Sequence, residues 1–162
     1  MSSLAAIIVG AEFSDSRHVK VDVSLAFTSV TWNTVATHTV LSITGTAVRV
    51  RILIECTGSL TSAGAATICF GVTGATAAFI ADTTATDIDD DEFWFSTTPA
   101  GYLILSGKST TPGVFIDAVV HGSLDVGYEI KTAALTSGGL TFTCWWEPIN
   151  NGSLVAGAGG VL

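Results

Sequence analysis

Between Val48 and Cys56 the chain alternates apolar and polar side chains almost without a break. Val48, Val50, Ile52, Ile54 and Cys56 fall on one side of an extended chain; Arg49, Arg51, Leu53 and Glu55 fall on the other. Successive strand residues point to opposite faces, so the stretch predicts a strand with one apolar and one largely charged side. β-Branched residues dominate the apolar set, which suits a pleated surface better than a helix. Burying those five side chains would contribute on the order of 8–15 kcal/mol before conformational entropy is subtracted.

The same period of two recurs along the chain. Val19, Val21, Val23, Leu25 and Phe27 share one face, and Thr37 to Thr44 reads as a Thr-rich strand carrying Val40, Leu41 and Ile43. Gly45-Thr46 is expected to close a hairpin from that strand onto the Val48 strand. Ala66, Ile68, Phe70 and Val72 mark another strand, and Glu92 to Phe95 a short aromatic one. Val114, Ile116, Ala118 and Val120 line up, as do Leu124, Val126, Tyr128 and Ile130, with Gly122-Ser123 as a tight turn between the two runs. Leu140, Phe142, Cys144 and Trp146 form the last apolar face. Thr57 to Gly64, Gly107 to Gly113 and Ser137 to Gly139 read as loops or turns, and Ala77 to Ala81 as one helical turn.

Short strands at regular spacing with Gly, Ser and Thr turns, and no long amphipathic helix, predict an all-β chain. About eight strands in a single antiparallel β-sandwich are expected, wound as a jelly roll. The expected layout is an N-terminal arm or edge strand over 1–16, a sandwich over 17–149, and a Gly/Ala-rich tail over 150–162 that is mobile or held by a partner. No internal repeat interrupts that plan.

Composition sharpens the picture. Hydrophobic residues make up 48% and charged residues 12% of the 162, about half the usual charged share. Mean hydropathy is +0.58, which points to a protein that spends its life against partners. The net charge is −8, from six Lys plus Arg against 14 Asp plus Glu, and such a field disfavours direct nucleic-acid binding. No apolar run reaches the ~18 residues of a membrane helix. The first ten residues lack the basic start of a signal peptide. Cys56, Cys69 and Cys144 form no close metal spacing, and reduced cysteines in or near a core are expected.

Candidate chemistry is sparse. Gly107-Lys108-Ser109-Thr110 resembles the end of a phosphate loop, but Tyr102 stands where its first glycine belongs and a turn replaces its helix. Asp87, Asp89, Asp90 and Asp91, with Glu92, are weak candidates for a Ca²⁺ site; their spacing is not that of an EF-hand, and a solvated acidic loop is the favoured reading. His18, His38 and His121 belong to no metal or catalytic motif, and no catalytic residue or cofactor is assigned. In Trp145-Trp146 the phase with Phe142 and Cys144 sends Trp146 inward and leaves Trp145 as an outward aromatic, the kind that anchors an interface or stacks on a sugar. Arg49 and Arg51 are expected to pair with Asp125, Glu129 or Glu147, or with acids of a neighbouring subunit.

The phrases Thr37-His38-Thr39-Val40, the Val-Arg-Val-Arg-Ile strand ending Glu55-Cys56-Thr57, Leu60-Thr61-Ser62, Ala65-Ala66-Thr67-Ile68, Thr83 to Asp89 and Trp146-Glu147-Pro148 together resemble small β-rich virion structural proteins of tailed bacteriophages. The resemblance spans roughly 35–150 and carries no catalytic motif. It implies a non-enzymatic head decoration (cement) protein, made in the host cytoplasm and placed on the outer surface of the head. Its implied partners are the major capsid protein and copies of itself, as a homotrimer. Leu4, Ile7, Ile8 and Val9 would then add a strand to a neighbour, with Arg49, Arg51 and Trp145 in the interface. The alternative is a carbohydrate- or receptor-binding module of a tail fibre or spike, using Trp145, Trp94 and the acidic loop.

Overall fold

The computed structural model describes residues 19–27, 32–101, 103–105, 108–110, 115–149 and 153–157. Leu4, Ile7, Ile8, Val9 and His18 lie outside them. Among the described residues the chain forms thirteen strands and one 3-10 turn, Ala85–Asp87. The strands are β1 Val19–Ala26, β2 Thr37–Thr44, β3 Ala47–Ser62, β4 Thr67–Val72, β5 Ala75–Thr84, β6 Glu92–Phe93 and β7 Ala100–Gly101. They continue as β8 Leu103–Leu105, β9 Lys108–Thr110, β10 Ile116–His121, β11 Asp125–Lys131, β12 Leu135–Pro148 and β13 Leu154–Gly157.

Two antiparallel sheets pack face to face. The first runs β1-β12-β3-β6-β7, with β10 also on β3; the second runs β13-β2-β11-β4-β5; β8 and β9 pair apart from both. Pairing is nested: β1 with β12, β2 with β11, β3 with β10, β4 with β5. The chain therefore behaves as one long antiparallel ribbon folded over on itself, and most of its neighbours are distant in sequence.

The period of two explains which residues meet inside. Val48, Val50, Ile52, Ile54 and Cys56 of β3 are all buried, as are Leu140, Phe142, Cys144 and Trp146 of β12. Val23 and Leu25 of β1 and Phe27 just after it are buried too, with Val19 and Val21 packed at the margin. Phe142 reaches across the core, stacking on Phe70 at 5.5 Å and on Tyr128 at 6.2 Å, both from the opposite sheet. Trp94 is fully buried and donates its indole N–H to Thr83 Oγ1 at 3.1 Å.

Several turn and loop expectations are corrected. Gly45-Thr46 does not close a hairpin, because β2 and β3 lie in different sheets. The segment is a corner across the sandwich. Gly45 has φ +103, and a Cβ there would fall 2.5 Å from Ser153 Cα, so only glycine fits. Gly122-Ser123 is likewise a corner from β10 to β11, and the two corners are tied by the Gly122 N–H donating to Thr46 O at 2.7 Å. Thr57 to Ser62 continues β3, and Ser137 to Gly139 lies inside β12, with Gly139 opposite Gly58 across a run of register shifts. The bulges break the apolar alternation there while pairing continues. Ala77 to Ala81 is strand within β5, and 108–110 pairs with 103–105 where a loop was expected. Part of the tail is ordered: β13 pairs with β2, and its Val155 is buried.

Candidate functional site

The polar face of β3 builds the most distinctive surface. Arg49 and Arg51 point outward between β12 and β10, and register sets Trp145 and Asp117 on either side of Arg51. Arg49, opposite Glu147 and Val119, reaches diagonally instead. Its Nε and Nη2 donate to the two Asp117 carboxylate oxygens at 3.1 and 3.0 Å, and its Nη1 lies 3.4 Å from Glu147 Oε1. The two-pronged geometry fits the planar fork of a guanidinium. Hydrogen bonding to Arg49 holds the Asp117 carboxyl below its ordinary range, and Asp117 in turn raises Arg49.

Arg51 behaves differently. Its guanidinium lies over the Phe115 ring, 4.1 Å from the centroid, and Phe115 meets Trp145 edge-on at 5.7 Å. Arg49, Arg51, Asp117, Trp145 and Glu147 line a shallow hollow of about 50 Å³. That holds one or two waters, far below the ~300 Å³ at which pockets begin to enclose a small molecule. The arrangement offers cationic edges, an aromatic and two carboxylates to something lying on the sheet.

Of the pairings expected for the arginines, Glu147 is found and Asp125 and Glu129 are not. Both belong to β11, which the Gly122 corner carries into the opposite sheet. Trp145 faces outward as its phase requires but is half-buried, packed on Phe115. Asp117 and Phe115 complete the site and were not singled out from the sequence. Their signal was the outward phase of the Val114–His121 run, which says nothing of which strand lies alongside.

The remaining candidates do not join this surface. Asp87, Asp89, Asp90 and Asp91 are exposed. Their loop is pinned by the Asp91 N–H to Cys56 O at 3.1 Å, the Asp90 N–H to Ser59 Oγ at 3.0 Å, and the Asp89 N–H to Glu92 Oε2 at 3.0 Å. Among the described residues no three His, Cys, Asp or Glu side chains gather into a metal-holding group. Trp94 has no face left for a sugar, because it is closed in the core. His38 is buried, stacked on Tyr128 at 5.0 Å with Nε2 2.9 Å from Thr34 O, while His121 is exposed. All three cysteines are free and buried, and burial pushes the Cys144 thiol up to about 12.

No protein-family model, curated protein or solved structure matches the chain.

Proposed function

We propose that the protein is a non-catalytic structural component of a tailed-bacteriophage virion, an oligomeric decoration protein that binds the outer surface of the head. The observation that carries this reading is the outer face of the first sheet, where Arg51, Phe115 and Trp145 form a cationic and aromatic surface beside a hollow of about 50 Å³. Arg and Trp are the residue types that anchor protein interfaces. The virion-like phrases and low charge of the sequence point the same way. A jelly-roll winding belongs to this reading, supported by the opposed orders β1-β12-β3-β10 and β2-β11-β4-β5. The apolar residues Leu4, Ile7, Ile8 and Val9 supply a strand for a capsid neighbour. Deleting residues 1–12 is expected to abolish co-sedimentation with purified heads while cooperative melting persists. Undiminished head binding by the truncated protein would defeat the strand-addition mechanism.

A second reading, a glycan- or receptor-binding module of a tail fibre or spike, is favoured by one feature: Trp145 borders a hollow with Asp117 and Glu147, an aromatic beside carboxylates. Glycan-array binding lost on Trp145→Ala would favour it, and a blank array with folded protein would count against it.

A further inference from the structure

We infer that the Arg51 surface docks the acidic loop of a second copy of this chain. The inference rests on the self-associating part of the function proposed above and names the contact. Four basic side chains are described, and three of them sit on carboxylates: Lys20 on Asp22 at 2.8 Å, Lys131 on Asp82 at 2.7 Å, and Arg49 on Asp117 and Glu147. Among the described residues Arg51 makes no ion pair. Its guanidinium carbon lies 4.1 Å from the centroid of the Phe115 ring and the residue is exposed, so its N–H donors remain available to a carboxylate. Asp117 feels its charge without pairing with it. A carboxylate arriving from outside would meet these donors, with the Trp145 and Phe115 rings beside them to exclude water from the contact.

The same chain carries the complement. Asp89, Asp90 and Asp91 are exposed, and none forms an ion pair with a described residue. Backbone hydrogen bonds to Cys56 and Ser59 hold their loop in place, so little ordering would be needed on docking. The loop is anchored beside Cys56, roughly 17 Å from Arg51 at about 3.3 Å per strand residue. No side chain bridges that gap within one chain, so the two features can meet only between copies. Each copy offers one donor surface and one acidic loop, as a reciprocal pair or a closed ring requires.

Sedimentation of the full chain at low and high salt tests the inference. Wild type is expected to associate, more weakly as salt rises. Arg51→Glu should weaken association roughly tenfold or more through like-charge contact. Asp89→Lys with Asp90→Lys should do the same, and the three changes together should restore it, with circular dichroism confirming the fold throughout. Association of Arg51→Glu equal to wild type, or no recovery in the combined variant, overturns the contact. A monomeric wild type overturns it as well; if that monomer still pellets with heads, head binding stands while self-association falls, and if it does not, both fall.

Discussion

Phe142 offers the sharpest test of the two-sheet core, because its neighbour Thr143 differs from it by one step of the pleat. Phe142 is fully buried on β12 and stacks on Phe70 of β4 and Tyr128 of β11, so one ring joins both sheets. Truncating a buried Phe to Ala typically costs about 3–5 kcal/mol, from lost transfer energy plus the cavity left behind. The two ring pairs, at ~0.5–1.5 kcal/mol each, lie within that figure. For a chain of this length each kcal/mol lowers the melting temperature by roughly 2–4 °C, so Phe142→Ala should melt about 6–20 °C early. Thr143 sits on the outer face beside Asp22, and Thr143→Ala should cost less than about 1 kcal/mol. Urea unfolding followed by tryptophan fluorescence measures both, and an unchanged m-value would assign the difference to stability. A cost below about 1 kcal/mol for Phe142→Ala, or equal costs for the two variants, would refute the facing of β12.

Three further outcomes follow from particular contacts. A Cβ on Gly127 would fall 2.0 Å from His38 O, a backbone atom of the paired strand, so Gly127→Ala should lose roughly 2–3 kcal/mol or more in the same urea assay. Burial raises the folded pKa of Cys56, Cys69, Cys144 and Tyr128, so their contribution to stability is complete below the unfolded values, 9.0 for the thiols and 10.0 for the tyrosine, and falls as pH rises past each. Denaturation midpoints should therefore drop above pH 9, and a colorimetric thiol reagent should react with the native protein only as it unfolds. Millimolar EDTA should leave the melting temperature unchanged; a fall reversed by Ca²⁺ would restore Asp87, Asp89, Asp90 and Asp91 as ligands.

What the sequence made legible was the facing of side chains. Alternation placed Val48 to Cys56 and Leu140 to Trp146 correctly, sent Trp146 inward and Trp145 outward, and put Cys56 and Cys144 in the interior; Cys69, out of phase with Ile68 and Phe70, is buried as well. It could not say which sheet a strand joins. A glycine turn with positive φ serves a hairpin or a corner equally well, so Gly45 and Gly122 read as hairpins although both carry the chain across the sandwich. The same ambiguity reaches the site: of Asp125, Glu129 and Glu147, the acids expected beside Arg49 and Arg51, only Glu147 lies against Arg49, whose two-pronged partner Asp117 sits on β10. Small residues hid the rest. In Ala77 to Ala81 the two bulky side chains, Phe79 and Ile80, are adjacent and the rest are alanines, so no period of two shows, yet pairing with β4 makes it strand. Gly58 and Gly139 interrupt the alternation where two strands bulge together.

A density map of the virion tests the proposed function most directly. It should contain copies of this sandwich on the outside of the head, with the Arg51, Phe115 and Trp145 face turned onto a neighbouring subunit. A head surface without such density, or the same sandwich at the tip of a tail fibre with that face open, would contradict it.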